Sequence, residues 1–365
     1  MVRVTTDLPP GQTRDHDHVA GLLVVNAGSS SLKLSLLDAG SDELLAAEEF
    51  AAPGADGDRR ELEEALNGRF AGAEVVGHRI VHGGEEFTSA IRVDARVRAR
   101  LEDLVALAPL HQPPALAALD AVSELLPGVP HVACFDTSFH ADLPAAARTY
   151  ALPQAWRSRW GVHKYGFHGL SHAWIARTVP EQLGADARTL RIISCHLGSG
   201  ASLCAISGGR SVDTTMGFTP LAGLIMGTRS GDVDPGLLLW LLESTELTVA
   251  EMSSALEHDA GLKGLAGEAD MHAVLKARAA GDERAALAVG VYLHRLSGMI
   301  AAMAAAMGGA DVVAFTGGVG EHAPEIRDEA MAPLGFLGEI PVLTVTARED
   351  LEIASQVRAL LGREP

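Results

Sequence analysis

Aromatic residues make up only 4% of this 365-residue chain, so its interior must be built from Leu, Val, Ile and Ala rather than from stacked rings. Cysteine is equally sparse. The three present, Cys134, Cys195 and Cys204, form no C-x-x-C pair and sit in apolar strand-like runs. That argues against a zinc framework or a disulfide scaffold and for reduced thiols in the cytoplasm. Positive charge is short as well: 29 Lys and Arg against 47 Asp and Glu leave a formal charge of −18. Such a balance excludes the broad basic face that nucleic acid or an anionic membrane would need. No apolar h-region opens the chain, and the longest uncharged stretch, around Leu296 to Ala310, reads as too short to span a bilayer. The common phosphate loops are missing too: no G-x-x-x-x-G-K-[ST] occurs, and no G-x-G-x-x-G opens a helix after a strand.

What is present is one phrase used twice. Leu22-Leu23-Val24-Val25 leads through Asn26-Ala27-Gly28-Ser29-Ser30-Ser31 into Leu32 to Asp38, and Arg191 to Cys195 leads through His196-Leu197-Gly198-Ser199-Gly200-Ala201-Ser202 into Leu203 to Ile206. Each reads as strand, small-residue turn, strand. Turns of this kind offer backbone N–H groups and hydroxyls to an anion with little bulk in the way. Strand and helix patterns alternate after each hairpin, which predicts an α/β protein with two similar halves. Residues 1–19 read as a disordered leader, 20–149 as a first domain and 150–349 as a second, with a last helix from about 350 to 365 packing back on the first. Leu237 to Leu242 is read as core in preference to a dimer face.

Several segments could carry chemistry. His78-Arg79-Ile80-Val81-His82-Gly83-Gly84 places a guanidinium beside a Gly-Gly turn, and Arg229 lies in the Gly- and Asp-rich loop Met226 to Pro235. Asp136 follows the short strand His131 to Phe135, where open α/β sheets bind ligands. His168 and His172 are four apart, yet the Glu of H-E-x-x-H is missing and Gly169 weakens a helix there, so zinc is disfavoured. Thr316-Gly317-Gly318-Val319-Gly320-Glu321 follows an apolar strand and would let backbone approach a flat ring.

The blocks NAGSSSLK, HRIVHGGE, FDTSFH, YGFHGLSH, GFTPLAGLIMGTRSGDVDP and FTGGVGE occur in the order found in the acetate kinase family, and the chain resembles that family from Leu22 nearly to its end. The resemblance implies two actin-like ATPase domains, a duplicated ribonuclease H-like fold, with the active site between them. It implies reversible phosphoryl transfer between ATP and acetate, with Mg²⁺ (replaceable by Mn²⁺) and ATP or ADP as co-substrate. On it, Asn26 and Glu349 organise the metal; Arg79, Arg229, His168, His111 and Asp136 are catalytic; and Val81, Leu110, Phe167 and Pro220 join Arg79 in holding acetate or acetyl phosphate. Ser29, Ser31, Lys33, His196, Gly198, Ser199 and Gly200 fall to the phosphates of the nucleotide, and Asp270, Met271, His272 and Gly317, Gly318, Val319 and Gly320 to its adenosine side. A homodimer is implied, with no nucleic-acid or membrane partner. Ser199 and His322 stand where the family usually carries Asn, and His272 where it usually carries Arg. Two alternatives remain beside this reading: a kinase for propionate or butyrate, and a non-catalytic actin-like nucleotide-binding protein.

Overall fold

Two sheets built on one plan organise the described residues, 21–28, 31–51 and 56–362 of this computed structural model. The expected leader and Ser29 lie outside them. The first sheet contains β1 (Gly21–Ala27), β2 (Ser31–Asp38), β3 (Leu44–Ala51), β4 (Ala73–Ile80), β5 (Ile91–Arg92) and β6 (His131–Phe135) in the order β3-β2-β1-β4-β6-β5. The second contains β7 (Arg191–Leu197), β8 (Ala201–Ser207), β9 (Arg210–Thr214), β10 (Val312–Thr316) and β11 (Val342–Thr344) in the order β9-β8-β7-β10-β11. In both, an antiparallel three-strand meander is extended by two parallel strands added beside the first strand. The twice-used hairpin is therefore the visible part of a duplicated, actin-like α/β architecture.

Burial on both faces explains the nearly unbroken apolar strands. One face of the first sheet (Leu23, Val25, Leu34, Val76) packs on Leu62, Leu66, Ala118 and Val122 from the helices Asp56–Asn67 and Gln112–Leu125. The opposite face (Leu22, Val24, Val75, Val132) is covered by Leu351, Ile353, Ala354 and Val357 of the last helix, Glu349–Leu361. Arg358, itself buried, fastens that helix to the turn after β2 by donating to the Ala39, Asp38 and Ser41 carbonyls and to Asp42 Oδ1.

The second sheet divides by parity. Ile193, Cys195, Leu197, Leu203 and Phe315 face Val289, Leu296 and Ile300 of the helix Glu283–Ala306. Ile192, Cys204, Ile206, Val312 and Ala314 face Ile175, Ala176 and Val179 of the helix Gly169–Leu183. Two sequence expectations need correcting. The uncharged stretch near Leu296 belongs to a 24-residue helix that is long and apolar enough to cross a membrane, but its Ala288, Val289, Tyr292, Leu296 and Ile300 are buried against the sheet. Leu237 to Leu242 is not core: the helix Pro235–Ser244 buries no residue, and Leu239 and Trp240 are 60% and 58% exposed. With no polar stripe to mark an outer face, its sequence could not distinguish the two.

Two tests follow from the packing. A Cβ on Gly77 would stand 2.6 Å from Ile353 Cγ2 and 2.9 Å from Val357 Cγ2, both on β-branched side chains with little freedom to yield. Gly77→Ala should therefore push the last helix off the sheet and cost about 1–3 kcal/mol, read as a lower urea midpoint. Four buried histidines give a pH signature: burial lowers His82 and His140 to about 4 and His78 and His172 well below their ordinary 6.5. The unfolded chain takes up these protons below about pH 6.5 while the folded chain refuses them, so stability is complete above that pH and falls as pH drops from 6.5 towards 4. Urea unfolding at pH 7.5 and pH 5 should show the loss, and equal midpoints would refute it.

Candidate active site

The site residues emerge where parallel strands end. Asn26 is the penultimate residue of β1, Arg79 of β4 and His196 of β7, while Asp136 directly follows β6. This is the edge at which open α/β sheets leave backbone and side chains free for ligands.

A polar cluster joins segments far apart in the chain. Arg79 donates from Nε and Nη2 to both Asp136 oxygens at 2.6 to 3.2 Å, and from Nη1 to Asn26 Oδ1 at 3.2 Å. Asn26 Nδ2 in turn donates to Glu349 Oε2 at 2.9 Å, and that oxygen lies 3.9 Å from Arg79 Nε. Burial alone would disfavour the guanidinium, but Asp136 and Glu349 outweigh it and hold Arg79 firmly charged. Burial also pushes Asp136 up against the pull of Arg79; with the Nε and Nη2 N–H groups of the guanidinium both aimed at its oxygens, it stays ionised. Glu349 is held below its usual range, because Arg79 and the Asn26 amide overcome its burial.

Arg229 is the contrasting cation. Its Nη1 donates to the Pro220 carbonyl at 2.7 Å, and no carboxylate among the described residues lies within ion-pair distance. Burial therefore lowers its pKa, opposed only by the more distant Glu257. Its Nη2 stands 2.8 Å from where a Cβ on Gly200 would be, so the glycine turn after β7 exists where the guanidinium and backbone approach closely. His168 and His196 flank the same turn, ring centroids 4.3 Å apart. Burial lowers the pKa of both rings: at His168 the neighbouring imidazole of His196 and Arg79 add to it, and at His196 burial, helped by Arg79, outweighs the opposing pull of Glu349. His111 is pushed down to about 4 by burial, Arg229 and Arg79.

His168 is the only non-glycine residue with positive φ among the described residues, at 56°. It sits immediately before the helix Gly169–Leu183, which is why His168 and His172 do not share a helix face as a zinc pair would. They share Ser202 instead: its Oγ lies 2.9 Å from His168 Nδ1 and 2.8 Å from His172 Nε2. No group of three or more His, Cys, Asp or Glu among the described residues is arranged to hold a metal by itself.

The remaining expected residues divide. Val81 and Phe167 are buried in one cluster with Leu224 and Met226, and Pro220 is buried at the Arg229 contact. Leu110 is 44% exposed. Ser31 opens β2, and its carbonyl accepts from Gly28 N–H; Lys33 lies opposite Asn26 and 3.9 Å from Glu49. Ser199 is exposed at the tip of its turn, its carbonyl accepting from Gly227 N–H. Asp270 caps the helix Met271–Ala279, Met271 is buried in the core, and His272 is exposed. Gly317 to Gly320 form the first turn of a short helix, Gly317–His322, rather than an open loop. Sequence reasoning missed Glu321, whose Oε1 accepts from Gly317 and Ala347 N–H and so ties this turn to the segment before Glu349. It also missed Ser171, Ser194 and Ser202. Their signal was parity, since Ser194 and His196 alternate on the face of β7 that meets the helix carrying Ser171 and His172.

A separate cavity of about 90 Å³ is lined by Gly84, Thr137, His140, Lys164 and Tyr165, and includes neither guanidinium of the cluster. Its Lys164 is already bound to Asp213 and the Thr214 carbonyl.

Comparisons agree with this arrangement. Residues 60–346 match the family model described as the acetokinase family. An acetate kinase of Deinococcus radiodurans is 44% identical over 343 residues, covering 87% of this chain and 86% of the relative. One from Clavibacter sepedonicus is 41% identical over 392 residues, covering 93% and 99%. Among solved structures, the acetate kinase of Porphyromonas gingivalis has a TM-score of 0.86 at 34% identity, covering 94% of this chain and all of that one. A propionate kinase from Francisella tularensis has the same TM-score at 30% identity, covering 92% and 98%. With its family model spanning most of the chain and its relatives aligned nearly end to end, the chain belongs to the acetokinase family.

Proposed function

We propose that this protein catalyses the reversible, direct in-line transfer of the terminal phosphoryl group of ATP to acetate, giving acetyl phosphate and ADP. The observation that carries the reading is Arg229: a half-buried guanidinium with no carboxylate partner among the described residues, set against a glycine turn and two neutral imidazoles. A partly desolvated cation left without a counter-charge favours an anion that arrives as substrate.

Acetate is already a nucleophile at neutral pH, so the site needs no general base. Asp136 is bound through both oxygens by Arg79, and His168 and His196 each have one ring nitrogen occupied by a serine. What the chain supplies is position and charge. Arg229 holds an anionic oxygen, His168 and His196 stand beside the turn that would carry the phosphates, and Arg79 is held rigid by its partners. This suits a loose, metaphosphate-like transition state, in which little covalent work falls to the protein. Val81 and Phe167 supply apolar surface for a methyl group.

The donor set fits Mg²⁺. Asn26 Oδ1 and the ionised Glu349 are hard oxygen donors held in one cluster, too few to cage an ion unaided, as suits a cation that keeps water and takes its other oxygens from phosphate. When bound, the ion would neutralise charge on the nucleotide phosphates. Mn²⁺, with similar oxygen preferences, is proposed to substitute. The exposed Leu239 and Trp240 on Pro235–Ser244 support a homodimer. Three free, buried cysteines and the acidic balance support a cytoplasmic setting without nucleic-acid partners.

The test is hydroxylamine-trapped acyl phosphate formation with ATP and Mg²⁺ across formate, acetate, propionate and butyrate. A maximum in kcat/KM at acetate is expected, with propionate about 10- to 200-fold lower, since one methylene in an apolar pocket is worth about 1–3 kcal/mol. A maximum at propionate would keep the mechanism and assign the longer acid. Nucleotide binding without product from any acid would favour a binding protein instead. Arg229→Ala should lose about 10²- to 10³-fold in kcat/KM with its urea midpoint nearly unchanged, and near-normal turnover in that variant would defeat the mechanism.

A further inference from the structure

We propose that buried serine hydroxyls fix the tautomers of His168 and His196, so that both rings present an Nε2–H donor to the Gly198–Gly200 turn. Ser171, Ser194, His172 and Ser202 thereby act as positioning residues. The inference rests on the kinase reading for its purpose but not for its geometry.

The argument is a count of hydrogens. Ser194 Oγ lies 2.8 Å from His172 Nδ1, His172 Nε2 lies 2.8 Å from Ser202 Oγ, and Ser202 Oγ lies 2.9 Å from His168 Nδ1. Ser194, His172 and Ser202 are wholly buried, and burial keeps His168 and His172 neutral, so each ring carries a single N–H. Such a chain can run in two directions. In one, Ser194 donates to His172 Nδ1, His172 Nε2–H donates to Ser202, and Ser202 donates to His168 Nδ1. Both serine hydrogens and the His172 proton are used, and the one N–H left over, on His168 Nε2, lies at the glycine turn rather than in the buried interior.

In the other direction His168 Nδ1–H donates to Ser202, Ser202 to His172 Nε2, and His172 Nδ1–H to Ser194. The Ser194 hydroxyl hydrogen then has nowhere to go, because Ser194 Oγ has no second partner among the described residues. A buried donor without an acceptor is strongly disfavoured, whereas a hydroxyl oxygen with spare lone pairs is tolerated. The first direction wins.

A second, independent contact gives the same result. Ser171, also buried, has its Oγ 2.8 Å from His196 Nδ1 and no other partner among the described residues. Its hydrogen must go to Nδ1, which again leaves the proton on Nε2. Both Nε2 atoms face the glycine turn: His168 Nε2 is 3.3 Å from where a Cβ on Gly200 would stand, and His196 Nε2 is 3.8 Å from the same point on Gly198. The left-handed backbone of His168 fits this purpose, since it turns the ring towards the turn before the helix begins. Two fixed donors beside one turn suit the equatorial oxygens of a phosphoryl group in flight, and neither ring can then accept a proton from an attacking group. A carboxylate, which has none to give, is the acceptor such a site can use.

The experiment is ¹⁵N NMR of the ligand-free protein labelled at histidine, at pH 7.5. His168, His172 and His196 are each expected to carry the proton on Nε2; a proton on Nδ1 of His168 or His196 would overturn the proposal without any variant. Ser202→Ala should then shift the His168 nitrogens towards a tautomer average and lower kcat about tenfold, with KM for acetate within about twofold. Ser202→Thr, which keeps the hydroxyl, should restore both. Unaltered His168 nitrogens and kcat in Ser202→Ala would equally refute it. Nε2–H tautomers in a protein that forms no acyl phosphate would refute the kinase reading alone, and Nδ1–H at His168 in an active kinase would refute this one alone.

Discussion

Everything at the site depends on the near-burial of the Arg79 guanidinium. It is bound by Asp136 after β6 and by the Asn26 amide oxygen on β1, while Glu349, at the start of the last helix, binds that same amide. Removing one partner of such a buried pair typically costs about 3–5 kcal/mol, because the other charge is stranded. Asn26 and Glu349, separated by 323 residues, are brought within 2.9 Å by this cluster. The last helix can do this only because its apolar face first finds the sheet through Ile353 and Val357, with Gly77 leaving room for both.

With Arg79 satisfied, Arg229 becomes the cation that can take up an anion. The protein carries a formal charge of −18, so a substrate anion is opposed by the long-range field and must be drawn in by a local, desolvated charge. One guanidinium is immobilised by carboxylates and another is left without one. Had Arg229 a carboxylate partner like that of Arg79, the anion would have to displace it; had Arg79 none, the strand ends at Asn26 and Asp136 would lose their common anchor.

Much of this was legible in the residue string, for a physical reason. Turns that must let backbone reach a ligand need glycine and small hydroxylated residues at fixed places, and those leave unusual phrases such as NAGSSSLK and FTGGVGE. Arg79, Arg229, Asp136 and His168 stand out because charged or polar residues beside Gly-Gly turns and strand ends are conspicuous. Ser194 and Ser202 do not stand out: a serine in an apolar strand looks like a lapse in the pattern until the register of β7 on β8 and the position of the Gly169–Leu183 helix show what it bonds. The Leu237 to Leu242 helix is placed wrongly by its sequence for the opposite reason, since apolar character says that a residue gains by burial but not whether its own fold provides it.

Duplication explains why the two sides of the site differ in kind. Asn26 and His196 occupy the same place, next to last in the first strand of each meander, and their cross-strand partners are Lys33 and Ser202. On the first sheet that position carries an amide bound to charged neighbours, which suits an ion and anionic oxygens. On the second it carries a neutral ring whose outer nitrogen faces glycine backbone. One repeated backbone thus supplies two unlike electrostatic surfaces. A phosphoryl group passing between two anions needs both, because its charge must be neutralised at one end and its equatorial oxygens held by fixed donors at the other.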